Sequence, residues 1–420
     1  MKILKVLVVG NGGREHTIVW KLSQSPLVKE IYCAPGNPGI AELAKCVEIS
    51  VENIEELADF SREMSIDVTI VGPEVPLVLG IADKFKEQGL KVIGPSQGAA
   101  QLEGSKSFSK DFMKKYHIPT AMYHEVHSYD EAIEALKEYS FPVVIKADGL
   151  AAGKGVLICG NQQEAEKALE DILITKVFGS AGNKVVIEEF LEGIETSVLC
   201  FVDGKTIVPM VSSQDHKRIY DGDQGPNTGG MGTYSPNYVY TDEVAKVVER
   251  DILQPTLGGI QEENMDYKGI LFIGLMITKE GPKVLEYNVR FGDPETQVVL
   301  PRLETDLMEI FLAMLEEKLS DIKIVWNNKA VVCVVLASGG YPGDYEKGKA
   351  ISGLGEVAEN TIVFHAGTAI KENKLVTNGG RVLGVTSWAQ DIETAKKQAY
   401  ISVDHIDFEG KTYRKDIAVR

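Results

Sequence analysis

The 420-residue sequence predicts an α/β protein built in three parts. An N-terminal parallel sheet comes first, then a central α+β part of two subdomains, then a small C-terminal α/β domain. Three observations lead there. Short apolar runs alternate with helical patterns over the first hundred residues. Longer apolar runs joined by tight turns fill the middle, and a further strand, AVVCVVLASGGYPG, opens the last block. The expected divisions are 1–101, 102–325 (with a smaller unit at about 121–190) and 326–420.

In the first part ILKVLVVG, EIYCAP, DVTIVGPE and KVIGPS read as strands, with REHTIVWKLSQ and IEELADFSREM as helices among them. Strands apolar throughout and separated by helices belong to a parallel sheet covered on both faces, with right-handed crossovers. The opening MKILKVLVVGNGGREH ends its apolar run in glycines rather than a cleavage site, so it reads as a first strand and not a signal peptide. Residues near 101–120 form a helix-rich connector. The smaller unit then reads helix (SYDEAIEALKEY), strand (FPVVIKA), glycine loop, strand (GVLIC), helix (QQEAEKALEDI) and strand (KVVIEEFL).

IETSVLCFVDGKTIVPMV and KGILFIGLMITKEGPKVLEYNV look like antiparallel strands turning at VDGK and TKEGPK. The helix TDLMEIFLAMLEEKL follows. In the last block LVTNGGRVLGV reads as a hairpin with Asn378-Gly379 at its turn, and IETAKKQAYISVDHI as a final helix. No internal repeat is visible.

Hydrophobic residues are 44% of the chain and charged ones 25%, the profile of a soluble globular protein. The net charge of −17 argues against nucleic acid or an acidic membrane as partner. An anionic substrate must therefore meet a local cluster of cations and backbone N–H groups. No run of ~18 apolar residues suggests a membrane span. Cys33, Cys46, Cys159, Cys200 and Cys333 are far apart without a CxxC pair, which fits reduced thiols in a cytoplasmic protein.

Two glycine-rich stretches are candidate phosphate sites. In VVGNGGREH, Gly10, Asn11, Gly12 and Gly13 lie between strand and helix. This is either a plain βα turn or a place where helix N-terminal N–H groups meet an anion. A dinucleotide fingerprint would need a third glycine and an acid ending the second strand. That strand ends in Pro35, Gly36 and Asn37, so a phosphorylated small molecule fits better, with GPEVPL (Gly72, Pro73, Glu74, Pro76) beside it.

The second stretch, VVIKADGLAAGKGVLI, puts Lys146 on a strand and Gly149, Gly153 and Gly155 around Lys154 in a loop that leads to another strand. A hairpin loop is the plain reading; a flap over phosphates is the chemical one. The Walker pattern is absent, since Val156 follows Gly155. Lys106 in EGSKSFSK adds a possible cation. On KVVIEEFLEGIETSV, backbone groups of Glu189 and Leu191 could pair with an adenine edge, and Glu195 could accept from ribose hydroxyls.

EYNVRFGDPETQ ends a strand with unusually many polar groups. Glu286 and Asn288, two apart, share a face and make a hard-oxygen pair suited to Mg²⁺. Arg290 continues that face toward an anionic oxygen, and Gly292 and Pro294 fix a turn carrying Asp293. The alternative is an internal salt-bridge network of Glu286, Arg290 and Asp293. The stretch 213–236, SSQDHKRIYDGDQGPNTGGMGTYSP from Ser212 onward, is too long and glycine-rich for an idle connection. Asp215 there could receive an amine, and Asn227 and Gly229 could approach a ligand. Arg381 reads as a surface charge or a substrate contact, and His365 as a satisfied strand-end histidine.

VVGNGGREH, GPEVPL, IKADGLAAGKGV, QDHKR, GPNTGGMG and EYNVRFGDPETQ, in this order over essentially the whole chain, resemble the ATP-grasp superfamily. Within it the match is to the phosphoribosylamine–glycine ligases (glycinamide ribonucleotide synthetases). The resemblance implies a pre-ATP-grasp domain, two ATP-grasp subdomains sandwiching ATP, and a C-terminal domain completing the substrate site. It implies ATP-dependent joining of glycine to 5-phosphoribosylamine through a glycyl phosphate, in purine biosynthesis.

Carried onto this sequence, Lys106 and Lys146 take ATP phosphates under the flap 149–155. Glu189 and Leu191 lie at the adenine and Glu195 at the ribose, with Glu188 a further nucleotide-binding residue, while Glu286 and Asn288 hold Mg²⁺ or Mn²⁺. Arg290, Asp293 and Asp215 are the implied catalytic groups. Gly10, Asn11, Gly12, Gly13, Pro73, Glu74, Asn227, Gly229, Gly292 and Arg381 are implied at the substrates. A monomer is expected. Many superfamily members carry another acid on the preceding strand, where this chain has Leu275 and Met276. The rivals are another ATP-grasp ligase or carboxylase, a dehydrogenase on VVGNGGREH, and a non-catalytic nucleotide-binding regulator.

Overall fold

The computed structural model describes residues 3–149 and 155–419. Its N-terminal sheet has five parallel strands in the order Lys45–Cys46, Val28–Pro35, Leu4–Gly10, Val68–Val71 and Val92–Ile93. Val6, Leu7, Val8 and Val9 on the central strand have no exposed surface. Burial on both faces is why this run is apolar without alternation. From Leu4–Gly10 the chain crosses to one side of the sheet, and from Val68–Val71 to the other. A crevice opens at the carboxyl ends of two strands where the winding reverses in this way. The loops after Gly10 and after Val71 flank it.

The smaller unit is a four-stranded antiparallel sheet, ordered Tyr123–Val126, Val185–Glu189, Val143–Ala147 and Val156–Cys159. The helices Tyr129–Leu136 and Gln162–Leu169 pack on it around a core of their own. A second antiparallel sheet, ordered Ile207–Pro209, Ile194–Val202, Gly269–Thr278 and Gly281–Asn288, turns at VDGK and TKEGPK as expected. This sheet shares one core with the N-terminal sheet, where Leu7 and Val9 meet Val198, Leu271 and Tyr287. The small unit is thus a separate layer above a common floor.

The last sheet is ordered Gln214–Asp215, Gly232–Ser235, Ala330–Ala337, Arg381–Ala389 and Thr361–His365. Its first two strands come from the long polar stretch, so pairing of Gly232–Ser235 with Val331–Val334 crosses the expected division at 326. The hairpin expected at Asn378-Gly379 does not form. Lys374–Thr377 pairs instead with Thr368–Lys371, turning at Glu372 and Asn373, both left-handed with φ of 51° and 59°. Arg381–Ala389 leaves for the last sheet. Asn378 N–H donates to the Gly367 carbonyl at 2.7 Å. A Cβ on Gly379 would lie 2.8 Å from the Gly367 Cα. These glycines serve a close crossing of two chains rather than a turn.

Candidate active site

A polar cleft of about 410 Å³ opens where the carboxyl ends of the N-terminal strands, the end of Gly281–Asn288, the stretch 213–236 and the C-terminal domain converge under the small sheet. A more apolar pocket continues from it between the small sheet and the floor, sharing Lys146, Glu188, Lys217 and Glu286.

The apolar pocket is lined by Ala121, Leu191, Met276 and Leu285, with Glu189, Glu195 and Asn227 at its rim. The Glu189 carboxylate accepts from Met122 N–H at 2.9 Å, which fixes the strand crossing there. Glu195 pairs with Lys217 at 2.9 Å. Burial alone would depress the Lys217 ammonium, but Glu195, Asp215 and Glu286 together hold it well above the lysine range.

Lys106 begins the helix Lys106–Lys115, capped by Ser105, and donates to the Gly149 carbonyl at 2.9 Å. Gly149 has φ +112°, open to glycine at little cost. Gly155 accepts from Ala147 N–H at 2.9 Å, closing the other end of the loop. Gly153 and Lys154 lie outside the described residues. Lys146 reaches Glu188 at 2.8 Å and the Leu285 carbonyl at 3.3 Å. The other Glu188 oxygen takes Lys110 at 2.9 Å. Glu188 therefore meets two ammonium groups. Burial works against its charge, yet Lys146 and Lys110 keep it below the usual carboxylate range. Burial brings Lys110 down to about 8.

Tyr287 points into the core, 2.7 Å from the Thr256 hydroxyl, so its neighbours Glu286 and Asn288 face the cleft. No described cation closes to ion-pair distance of Glu286. Against the pull of burial, Lys217, Lys146, Lys106 and Arg290 hold it ionised. The residue across the sheet is Gly274, with a register shift just beyond it. The neighbouring strand supplies no second acid at this level. No group of three or more His, Cys, Asp or Glu side chains among the described residues forms a metal cage. An ionised carboxylate and an amide oxygen on one face fit Mg²⁺ or Mn²⁺, which would complete its shell with waters and phosphate oxygens.

The internal network of Glu286, Arg290 and Asp293 is not what forms. Arg290 pairs with Glu103 at 2.8 Å and Glu74 at 3.3 Å, and donates to the Asn288 side-chain oxygen at 3.3 Å. Asp293 accepts from Gln297 at 3.0 Å and Arg14 N–H at 3.2 Å, with Arg381 at 3.5 Å. Burial opposes its charge, but Arg381 and Arg14 hold it low. Arg381 also donates at 2.7 Å to the carbonyls of Gly229 and Asp293, so it is a half-buried brace rather than a surface charge. A Cβ on Gly229 would sit 2.9 Å from the Arg381 guanidinium carbon, and one on Gly292 would sit 2.5 Å from a Glu295 oxygen.

The glycine turn is closely engaged by the protein itself. Gly12 N–H donates to Glu15 at 2.6 Å, and a Cβ on Gly10 (φ +128°) would lie 2.5 Å from the Glu15 side chain. A Cβ on Gly13 would strike Gln297 at 2.6 Å. Asn11 contributes its carbonyl to Asn37 at 2.8 Å. Pro73 precedes the short helix Glu74–Val78, and Glu74 lies 3.6 Å from Arg14. Asp215 lines the cleft; burial, together with Glu295 and Glu195, pushes its carboxyl up to about 8 despite Lys217. His365 is buried, donating its N–H to His16 at 2.8 Å across the N-terminal and C-terminal parts.

Arg14, Glu103, Lys110, Glu295 and Tyr341 also line the cleft, and the sequence reading did not single them out. Arg14 follows the glycine turn by one residue, and Lys110 is one helical turn after Lys106, so spacing could have found both. Glu103 and Tyr341 carry no local signal.

Comparison with known proteins accords with this architecture. Models of phosphoribosylglycinamide synthetase match residues 4–103 (N domain), 104–296 (ATP-grasp domain) and 331–420 (C domain). A phosphoribosylamine–glycine ligase of Caldanaerobacter subterraneus is 53% identical over 415 residues, 99% of each chain. The crystal structure of a phosphoribosylamine–glycine ligase from Thermotoga maritima superposes with TM-score 0.85 at 37% identity, covering 99% of this chain and 100% of that one. A Campylobacter jejuni biotin carboxylase shares the fold alone, with TM-score 0.74 at 15% identity over 98% of this chain and 93% of its own. The chain belongs to the phosphoribosylglycinamide synthetase family, with that family's N, ATP-grasp and C domains in succession.

Proposed function

We infer that this chain is an ATP-dependent carbon–nitrogen ligase joining glycine to 5-phosphoribosylamine, giving glycinamide ribonucleotide, ADP and phosphate in de novo purine biosynthesis. One observation carries the reading onto this chain's own residues. An apolar nucleoside-sized pocket runs into a cleft where Lys106, Lys146, Glu286, Asn288 and Arg290 converge.

A carboxylate is a poor acyl donor, so ATP must first activate glycine. A glycine carboxylate oxygen attacks the γ-phosphorus, the bond to the bridging oxygen breaks, and ADP leaves glycyl phosphate behind. The amine of phosphoribosylamine then attacks the acyl carbon and phosphate departs. Phosphoryl transfer needs chiefly alignment and charge neutralisation. In our assignment Leu191 and Glu189 place the adenine and Glu195 the ribose, Glu188 holds Lys146 and Lys110 beside them, and Lys106 and Lys146 take the phosphates. Glu286 and Asn288 would hold Mg²⁺ or Mn²⁺, which would supply charge neutralisation for phosphoryl transfer.

Arg290, fixed by Glu74 and Glu103, is aimed at the transferring phosphoryl group. Asp215 receives the glycine ammonium, whose charge favours ionising a carboxyl that burial otherwise keeps protonated. Gly10, Asn11, Gly12, Gly13, Pro73, Glu74, Asn227, Gly229, Gly292, Asp293 and Arg381 shape the phosphoribosylamine end. Phosphoribosylamine is labile in water, which accounts for a site closed from three sides. We place the domain limits at 1–101, 102–325 and 326–420, with strands Gln214–Asp215 and Gly232–Ser235 lent to the last sheet. We take the chain as a cytoplasmic monomer; no described helix is long and apolar enough to cross a membrane.

A coupled ADP-release assay tests the reading. Glycine with phosphoribosylamine should release ADP, whereas alanine or bicarbonate in place of glycine should not. ADP release with bicarbonate and none with glycine would replace this reading by a carboxylase.

A further inference from the structure

The stretch 213–236 brings Asp215 and Lys217 to the cleft, and the last residues of the chain are fastened to that stretch. Arg414 is 1% exposed. Its guanidinium forks onto Asp416 with two contacts of 2.6 Å, and its remaining nitrogen donates to Asp223 at 2.7 Å and to the Arg218 carbonyl at 3.2 Å. Asp416 accepts from Gly222 N–H at 2.8 Å, and Lys415 N–H donates to Asp221 at 2.8 Å. Ala418 N–H donates to His216 Nε2 at 3.2 Å. The segment therefore grips the hairpin formed by Arg218–Tyr220 and Gln224–Asn227 at both its base and its tip.

We propose that residues 414–418 form a clasp that holds Asp215 and Lys217 in their working positions, with Arg414 as the positioning residue. The proposal rests on the reading of the cleft given above. Three features support it. His216 stands between two cleft residues and faces the opposite way, onto the clasp, so a grip on His216 and Arg218 sets the direction of Asp215 and Lys217. The clasp is itself anchored: the Tyr400 hydroxyl donates to the Arg414 carbonyl at 2.8 Å and accepts from Ile417 N–H at 3.0 Å. Ile417 also presses on the strand after the hairpin, since a Cβ on Gly232 would lie 2.7 Å from its side chain.

A buried guanidinium is expensive unless every donor is matched. Burying Ile417 and Ala418 already holds the chain end to its own domain. The Arg414 guanidinium adds nothing to that core; its contacts beyond Asp416 all go to the hairpin.

The test uses the full chain. Arg414→Met should raise the KM for ATP about tenfold through a loosened Lys217–Glu195 pair, with kcat changed less than about threefold. Hydrogen exchange across 216–227 should quicken by at least about tenfold. Arg414→Lys should recover part of both. Asp223→Asn, at an exposed position, gives the same readouts should Arg414→Met fold poorly. Lys217→Met should raise the KM for ATP by itself, and adding Arg414→Met should raise it no more than about twofold further.

Multiplying effects, or a lowered kcat with unchanged KM and unchanged exchange, would overturn the clasp. A Lys217→Met enzyme with wild-type KM would refute the reading of the cleft, and the clasp's role with it. A normal response of Lys217→Met with none from Arg414→Met or Asp223→Asn would refute the clasp alone.

Discussion

The two ends of the cleft are built on different plans. At the nucleotide end the lysines come from one short helix and one strand, and Glu188, on the strand paired with Lys146's own, serves both Lys146 and Lys110. At the substrate end Arg14, Glu74, Glu103, Arg290, Asp293 and Arg381 come from all three domains and interlock. The first is a local device, a helix of the floor joined to the small sheet through Glu188. The second exists only when three domains are assembled, which suits a labile substrate that must meet a finished site. Glu286 and Asn288 lie at the junction.

Substitution at the junction should have the largest effect because both ends depend on it. Glu286→Gln keeps the shape and removes the charge that four cations surround. We expect kcat to fall at least about 10³-fold, roughly 4 kcal/mol of transition-state stabilisation. Thermal stability should barely change. Near-wild-type turnover across a Mg²⁺ titration would make the carboxylate structural and the two ends independent. Arg290→Lys comes next, with an expected loss of about 10²-fold in kcat/KM. An ammonium cannot fork onto Glu103 and Glu74 and still reach a phosphoryl oxygen. If the KM for ATP alone changes, Arg290 belongs to the nucleotide end.

Glu188→Gln separates the plans by another measurement. It leaves Lys146 and Lys110 buried without their shared carboxylate, a loss of about 3–5 kcal/mol. Denaturant unfolding should show that loss concentrated in the small sheet, with the KM for ATP raised about tenfold and the KM for glycine unchanged. Equal rises in both constants would show that the two ends are one network.

The same contrast explains what could be read from the sequence. Lys146, Glu286 and Asn288 sit on single strands at fixed spacing, and alternation alone put the last two on one face. The alternating apolar runs gave the parallel sheet for the same reason. Contacts between remote segments left no such trace. The alternative reading turned Arg290 to Glu286 and Asp293, its neighbours in sequence, whereas it meets Glu103 and Glu74 from the N-terminal half. Asn378-Gly379 carries the composition of a hairpin turn, but its glycine answers to a chain crossing at Gly367. The two strands lent to the last sheet were hidden because Gln214–Asp215 and Gly232–Ser235 are too short and polar to show a period.

The smallest expected effect lies where the plans meet in one side chain. Asp215 is placed at the glycine ammonium, but burial and the carboxylates of Glu295 and Glu195 push its carboxyl up to about 8. In the free enzyme it is therefore protonated below that pH and ionised above it. Only the ionised form attracts an ammonium, so at neutral pH binding must expel a proton. The KM for glycine should fall about threefold to tenfold between pH 7 and 9, below the pH at which glycine's own ammonium is lost, one proton being exchanged per site. Asp215→Asn should weaken glycine binding and erase the slope. A glycine KM that rises with pH in the wild type, or a slope that survives in Asp215→Asn, would move the ammonium to another carboxylate, with Asp293 the first to examine.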